Sequence, residues 1–160
     1  MASQFRFLSL LFIAHASCGF ISLYAQSPQF VDEMIEVRVY GEYCTVVGTY
    51  SFKNHGTSDA SWTVFYPLLN NADLPFPDSL FVMNIETKDT VTVTAARNGI
   101  SYSISVPASK TRKYKVYYRQ RTPARRMEYI LTSTRQWGRP LERATFSIII
   151  PDSFLLASIS

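Results

Sequence analysis

The chain has 160 residues, of which 47% are hydrophobic, 14% aromatic and 18% charged, with a net charge of +4. That is enough for one domain with a real core and too little for two ordinary domains plus a linker. The aromatic content and low net charge exclude a chain that is disordered as its main state.

The head of the chain reads as a secretory signal peptide over residues 1–25. Arg6 is its one charge, residues 7–24 carry none, and Phe7, Leu8, Leu10, Leu11, Phe12 and Ile13 form a dense apolar block. Cleavage fits after Ala16 or after Ala25; the second lies where the apolar run ends and looks like Gram-negative export signals. The alternatives are an uncleaved anchor and a lipoprotein on Cys18, which His15 disfavours by standing where a lipobox wants Leu or Val. The expected location is therefore the periplasm or cell surface of a Gram-negative envelope, with a mature domain at 26–160. Cys44 is then the single thiol, so no internal disulfide can form.

The remainder reads as short strands separated by turn residues. Residues 34–40 alternate Ile35, Val37 and Val39 with Glu36 and Arg38, and 42–52 follow as a second strand. Residues 61–66 and 80–86 come next, joined by a twelve-residue connection at 68–79. Leu74 and Phe76 make that connection a sheet-to-sheet crossover with apolar anchors, against the alternative of a functional loop. Residues 90–94 and 100–106 flank Asn98-Gly99, the strongest short hairpin signal in the chain. Residues 112–120 set Tyr114, Val116 and Tyr118 opposite Lys113, Lys115, Tyr117 and Arg119. Strands at 127–133 and 144–150 complete the set, and an apolar run at 154–160 leaves open whether the domain continues. No window carries a helical stripe. The expectation is an all-β fold, an antiparallel β-sandwich of about nine strands preceded by a signal-peptide helix, with a closed β-barrel as the alternative.

Val37-x-Val39-x-Gly41-x-Tyr43, Val46-x-Gly48-x-Tyr50-x-Phe52-x-Asn54 and Tyr66-Pro67-Leu68 together resemble the opening of the VIT-like (vault protein/inter-alpha-trypsin) β-sandwich family. The resemblance covers 37–68, about a quarter of the chain. It implies a non-enzymatic module, often attached to larger surface proteins, in which an Asn closes the turn before the aromatic-Pro-Leu strand end. It transfers no active-site residues. The acidic residue and second proline that frame this element in the family are missing. The later half, with Trp137-Gly138-x-Pro140-Leu141, looks instead like uncharacterised secreted bacterial sandwich proteins.

Catalytic chemistry has little to draw on. Beyond the leader His55 is the one histidine, no Gly-x-Ser-x-Gly elbow or glycine-rich phosphate loop occurs, and no catalytic, metal or cofactor residues are assigned. A Cys44–His55 pair lacks an orienting third group, and Asn70, Asn71, Asp73 and Asp78 match no calcium-loop spacing. Trp62 and Trp137 read as core in preference to sugar platforms.

Charge is segregated. Residues 26–109 carry four basic and nine acidic side chains, whereas 110–160 carry eleven basic and three acidic. Lys110, Arg112, Lys113, Lys115, Arg119, Arg121, Arg125 and Arg126 fall together with no acid among them, interleaved with Tyr114, Tyr117, Tyr118 and Tyr129. They form the candidate binding patch. The readings open for it are a solvated face paired internally with the acidic half, an anionic envelope component, or a protein partner. Nucleic acid is disfavoured for an exported chain. The sequence thus points to an exported, non-enzymatic binding, adhesive or structural module of the envelope. The alternatives are an accessory or sensory domain of a larger membrane protein, and a carbohydrate-active enzyme with two carboxylates in a cleft.

Overall fold

A computed structural model of the protein describes residues 28–130 and 140–151. The leader, Trp137 and the run at 154–160 lie outside these residues. Nine strands form within them: β1 (Gln29–Val39), β2 (Tyr43–Lys53), β3 (Ala60–Pro67), β4 (Ser79–Asn84), β5 (Thr90–Val91), β6 (Val93–Ala96), β7 (Gly99–Val106), β8 (Thr111–Arg121) and β9 (Arg143–Ile149). They make a six-stranded sheet in the order β5-β4-β8-β2-β1-β9 and a three-stranded sheet in the order β3-β7-β6. Both sheets are open, so the sandwich holds and the barrel does not.

Two features depart from the expected layout. Every pairing is antiparallel except β1 with β9, which run parallel with Ile35 opposite Phe146. A parallel neighbour needs a long crossover, and the chain from β8 to β9 supplies one. The expected strand at 127–133 is also not formed over its described part, 127–130. There Met127 and Tyr129 instead pack, partly buried, against the core.

Alternation decides which side chains enter the space between the layers. Cys44, Val46, Tyr50 and Phe52 of β2 face inward, as do Tyr114, Val116 and Tyr118 of β8, and Ile100, Tyr102, Ile104 and Val106 of β7. The aromatic share of this core is high, and several of its hydroxyls bond within it. Tyr50, Tyr66 and Tyr129 form a hydroxyl triangle with O···O separations of 3.0, 2.8 and 3.3 Å. The Tyr114 hydroxyl accepts from Ser105 N and donates to Ser105 O, tying β8 to β7 across the layers. Burial pushes the Tyr50, Tyr66 and Tyr118 phenols well above the ordinary tyrosine value, so the cluster stays neutral.

The connections explain how one chain fills two sheets. The expected strand at 90–94 divides at Thr92: β5 pairs with β4 in one sheet and β6 with β7 in the other. The 68–79 connection does pass from β3 in the small sheet to β4 in the large one. It is pinned by buried Leu74 and by Gln120, whose amide donates to the Leu69 and Pro75 carbonyls. The β6–β7 hairpin forms with Arg97 and Asn98 at its tip, Ala96 pairing with Gly99. Gly99 serves close approach and not a left-handed turn, because a Cβ there would press on the Tyr66 carbonyl oxygen. Asn54 closes the β2–β3 turn. Its amide donates to the Ser58 and Val106 carbonyls, and its Oδ1 accepts from Gly56 N.

Candidate functional site

The basic cluster of the sequence lies mostly along one strand, and the pleat of that strand divides it. Tyr114, Val116, Tyr118 and Gln120 of β8 are buried, which turns Lys113, Lys115, Tyr117, Arg119 and Arg121 to the outer face of the six-stranded sheet. Arg112 falls on the inward parity at the strand end, half-buried. Lys110 sits in the β7–β8 turn, and Arg125 and Arg126 in the turn that follows β8. Of the eight candidate residues, the fold therefore gathers four on one face. Of the four interleaved tyrosines only Tyr117 joins them; Tyr114, Tyr118 and Tyr129 belong to the core.

Cross-strand register adds partners that the linear sequence conceals. Phe81 on β4 pairs with Tyr117, their rings stacked at 5.1 Å and 20°. Tyr43 on β2 pairs with Arg121, stacks on Tyr40 at 5.0 Å and lies beneath the Arg119 guanidinium, 5.8 Å from its ring centroid. Tyr40, Tyr43 and Phe81 are all exposed. Two flat aromatic pairs thus stand among the cations of β8, an arrangement that offers both apolar faces and charge to a ligand. The pleat of β2 and β4 implies that Tyr43 and Phe81 face out, but only the sheet order brings them beside β8.

Two acids neutralise part of the patch, Asp78 from the N-terminal half and Glu128 from the basic half itself. Asp78 accepts a two-pronged contact from Arg119, at 2.8 and 3.1 Å, and that hydrogen bond holds its carboxyl below the ordinary aspartate value. Glu36 pairs with Arg38, Glu128 with Arg126, and Asp32 with Arg143. Lys110, Lys113, Lys115, Arg121 and Arg125 make no ion pair among the described residues. The reading of internal pairing with the acidic half is therefore met at Arg119 alone, since Arg126 pairs with Glu128 inside the basic half, and a surplus of positive charge remains on the sheet face.

The other candidate residues are occupied elsewhere. Cys44 is buried on the inner face of β2, where burial raises its thiol to about 11. His55 meets Gln29, away from any thiol contact. Asn70 is bonded to Arg97 O and Phe76 N, and Asn71 to the amides of Asp73 and Leu74, so these oxygens shape the crossover. No group of three or more metal-ligating side chains occurs among the described residues. Trp62 is not core: it is 46% exposed on the outermost strand of the small sheet. A shallow depression of about 450 Å³ over β7 is lined by Thr63, Thr92, Thr94, Ser101 and Ser103, with no carboxylate. Among the described residues no helix is long and apolar enough to cross a membrane, which says nothing of strands.

The class these features define is an all-β sandwich with a mixed basic and aromatic sheet face. No protein-family profile and no curated protein matches the chain. Among solved structures it is similar to a candidate nutrient binding protein from Legionella pneumophila subsp. pneumophila str. Philadelphia 1. The TM-score is 0.46 and the identity 12%, over 61% of this chain and 40% of that one. This chain thus spans well under half the length of that protein.

Proposed function

We propose that the protein is an exported, non-enzymatic binding module of the cell envelope that holds an anionic partner against the outer face of its six-stranded sheet. The observation that carries the reading is the side-by-side placement of Lys113, Lys115 and Arg121 with the Tyr117–Phe81 and Tyr40–Tyr43 stacks. Export rests on the signal-peptide pattern of residues 1–25. Flat rings offer apolar contact to a sugar ring or acyl-proximal surface, and the unpaired cations supply attraction to phosphate or carboxylate. The shared chemistry is an anionic group next to an apolar face, as in a lipid headgroup, a lipopolysaccharide or an acidic glycan.

Co-sedimentation with phosphatidylglycerol vesicles and retention on a polyuronate matrix test it and separate the lipid from the glycan source. Binding to one of them is expected to fall at least tenfold between about 0.05 and 0.3 M salt, as screening shortens the Debye length. Lys115→Glu/Arg121→Glu is expected to abolish it while Lys88→Glu, in the β4–β5 turn, leaves it intact. No binding to either probe, or binding indifferent to salt and to the double reversal, refutes the proposal.

A further inference from the structure

Beyond the basic face, the two ends of the six-stranded sheet are finished very differently. β5 closes one end with two residues. β9 closes the other with seven, Arg-Ala-Thr-Phe-Ser-Ile-Ile, every one of them exposed. Phe146, Ile148 and Ile149 are 46%, 60% and 42% exposed. Sheets ordinarily guard such an edge with lysine, proline, a bulge or extreme shortness. β9 has none of these devices. Its one charge, Arg143, is held back on its own chain by a two-pronged contact with Asp32 at 2.8 and 3.2 Å. In the small sheet, β6 has four residues, and β3 ends in Pro67 with Tyr129 laid against its Tyr66. β3 is the longer edge at eight residues and leaves Trp62 and Phe65 exposed, but its end is blocked by Pro67 and Tyr129, whereas β9 carries neither device along its length.

We propose that β9 is the docking edge for β9 of a second copy of this chain, in antiparallel register about a two-fold axis at Phe146. That register sets Arg143 opposite Ile149, Ala144 opposite Ile148, Thr145 opposite Ser147, and Phe146 opposite itself. No like charges meet, Phe146 and Ile148 find an apolar or small neighbour on the other strand, and Ile149 lies along the aliphatic stem of Arg143. An isologous contact of this kind is self-complementary and closes at two copies. Joined in this way, the two six-stranded sheets become one, with both basic faces on the same side. The contact is also small. Seven residues span about 23 Å, and an edge of that length buries roughly half of the ~1,200 Å² at the lower end of stable interfaces. The dimer is therefore weak and concentration-dependent, with a dissociation constant on the order of 10–100 μM.

Sedimentation velocity on the full chain with Cys18→Ser tests this. The wild-type surface is expected to pass from monomer to dimer between about 1 and 300 μM. Thr145→Lys/Ser147→Lys sets like charges opposite each other twice and is expected to remain monomeric with an unchanged circular dichroism spectrum. Thr145→Lys/Ser147→Glu sets opposite charges there instead and is expected to recover the dimer, with a salt dependence the parent lacks. Separately, Phe146→Cys is expected to cross-link to itself under mild oxidation, because opposed residues stand about 4.5–5.5 Å apart at Cα. A monomer throughout the range, or a dimer that ignores both double variants, overturns the proposal.

Discussion

Asn54 offers a sharp test of how the sandwich is held shut. Its side chain is 1% exposed and makes three hydrogen bonds, at 2.8 Å to Ser58 O, 2.9 Å to Val106 O and 2.8 Å from Gly56 N. Asn54→Ala removes all three. Val106 is fully buried, so its carbonyl gains no water in exchange, while the Gly56 and Ser58 groups are nearer solvent. At about 1 kcal/mol net for each bond, less some recovery at the turn, the loss is about 2–3 kcal/mol. Asn54→Asp is nearly the same shape and is expected to be worse. It keeps the acceptor for Gly56 but aims an oxygen at two carbonyl oxygens where an NH2 stood. Its carboxyl must then remain charged in a buried site or spend its single proton on one of the two, for a loss of about 4 kcal/mol. Urea unfolding at neutral pH measures both, and each kcal/mol lowers the melting temperature by roughly 3–5 °C. The gap between the two variants should narrow in acid, as the aspartate protonates. An Asp variant as stable as the Ala variant at neutral pH would refute the donor role assigned to the Asn54 amide.

Two further outcomes follow from the core and its rim. At Gly99 an added Cβ meets the Tyr66 backbone oxygen and comes within 2.6 Å of the Phe65 ring. Gly99→Ala should therefore lose about 1–3 kcal/mol by overpacking, although alanine suits a strand better than glycine; an increase in the urea midpoint contradicts it. Glu33 lies buried on β1, and burial first, then the neighbouring Asp32 charge, raises its carboxyl above the ordinary value of 4.5. A raised carboxyl contributes stability that is fully present below that ordinary value and lost as pH rises through the folded one. Glu33→Gln is accordingly expected to be more stable than the parent at pH 7 and equal to it below about pH 4. A difference that does not change with pH removes Glu33 titration as its cause.

The residues themselves determined the strands. Alternation in β1, β7 and β8 assigned their inner and outer faces correctly, since a period of two leaves a half-buried strand no other choice. The same pattern, with the connection at 68–79 anchored by Leu74, was enough for two layers. What it could not contain was the pairing of segments distant in sequence. Nothing in the residues at 90–94 marks Thr92 as the point where the chain changes sheets. The approach of β9 to β1 in parallel is equally silent, because either direction exposes the same alternation. Trp62 shows a similar limit. Its spacing with Val64 and Tyr66 puts it on the inner side, yet it stands exposed at an edge, and being at an edge is a property of the sheet order. The basic face divides the same way. Lys113, Lys115 and Arg119 were legible as one side of one strand, Arg121 joined them because β8 runs one residue past the expected end, and Phe81, Tyr43 and the neutralising Asp78 reach them only across the β4–β8–β2 register. Side-chain direction is local, set by each residue's own backbone; proximity between strands is set by tertiary pairing, which decided which cations remain unpaired and which rings stand beside them.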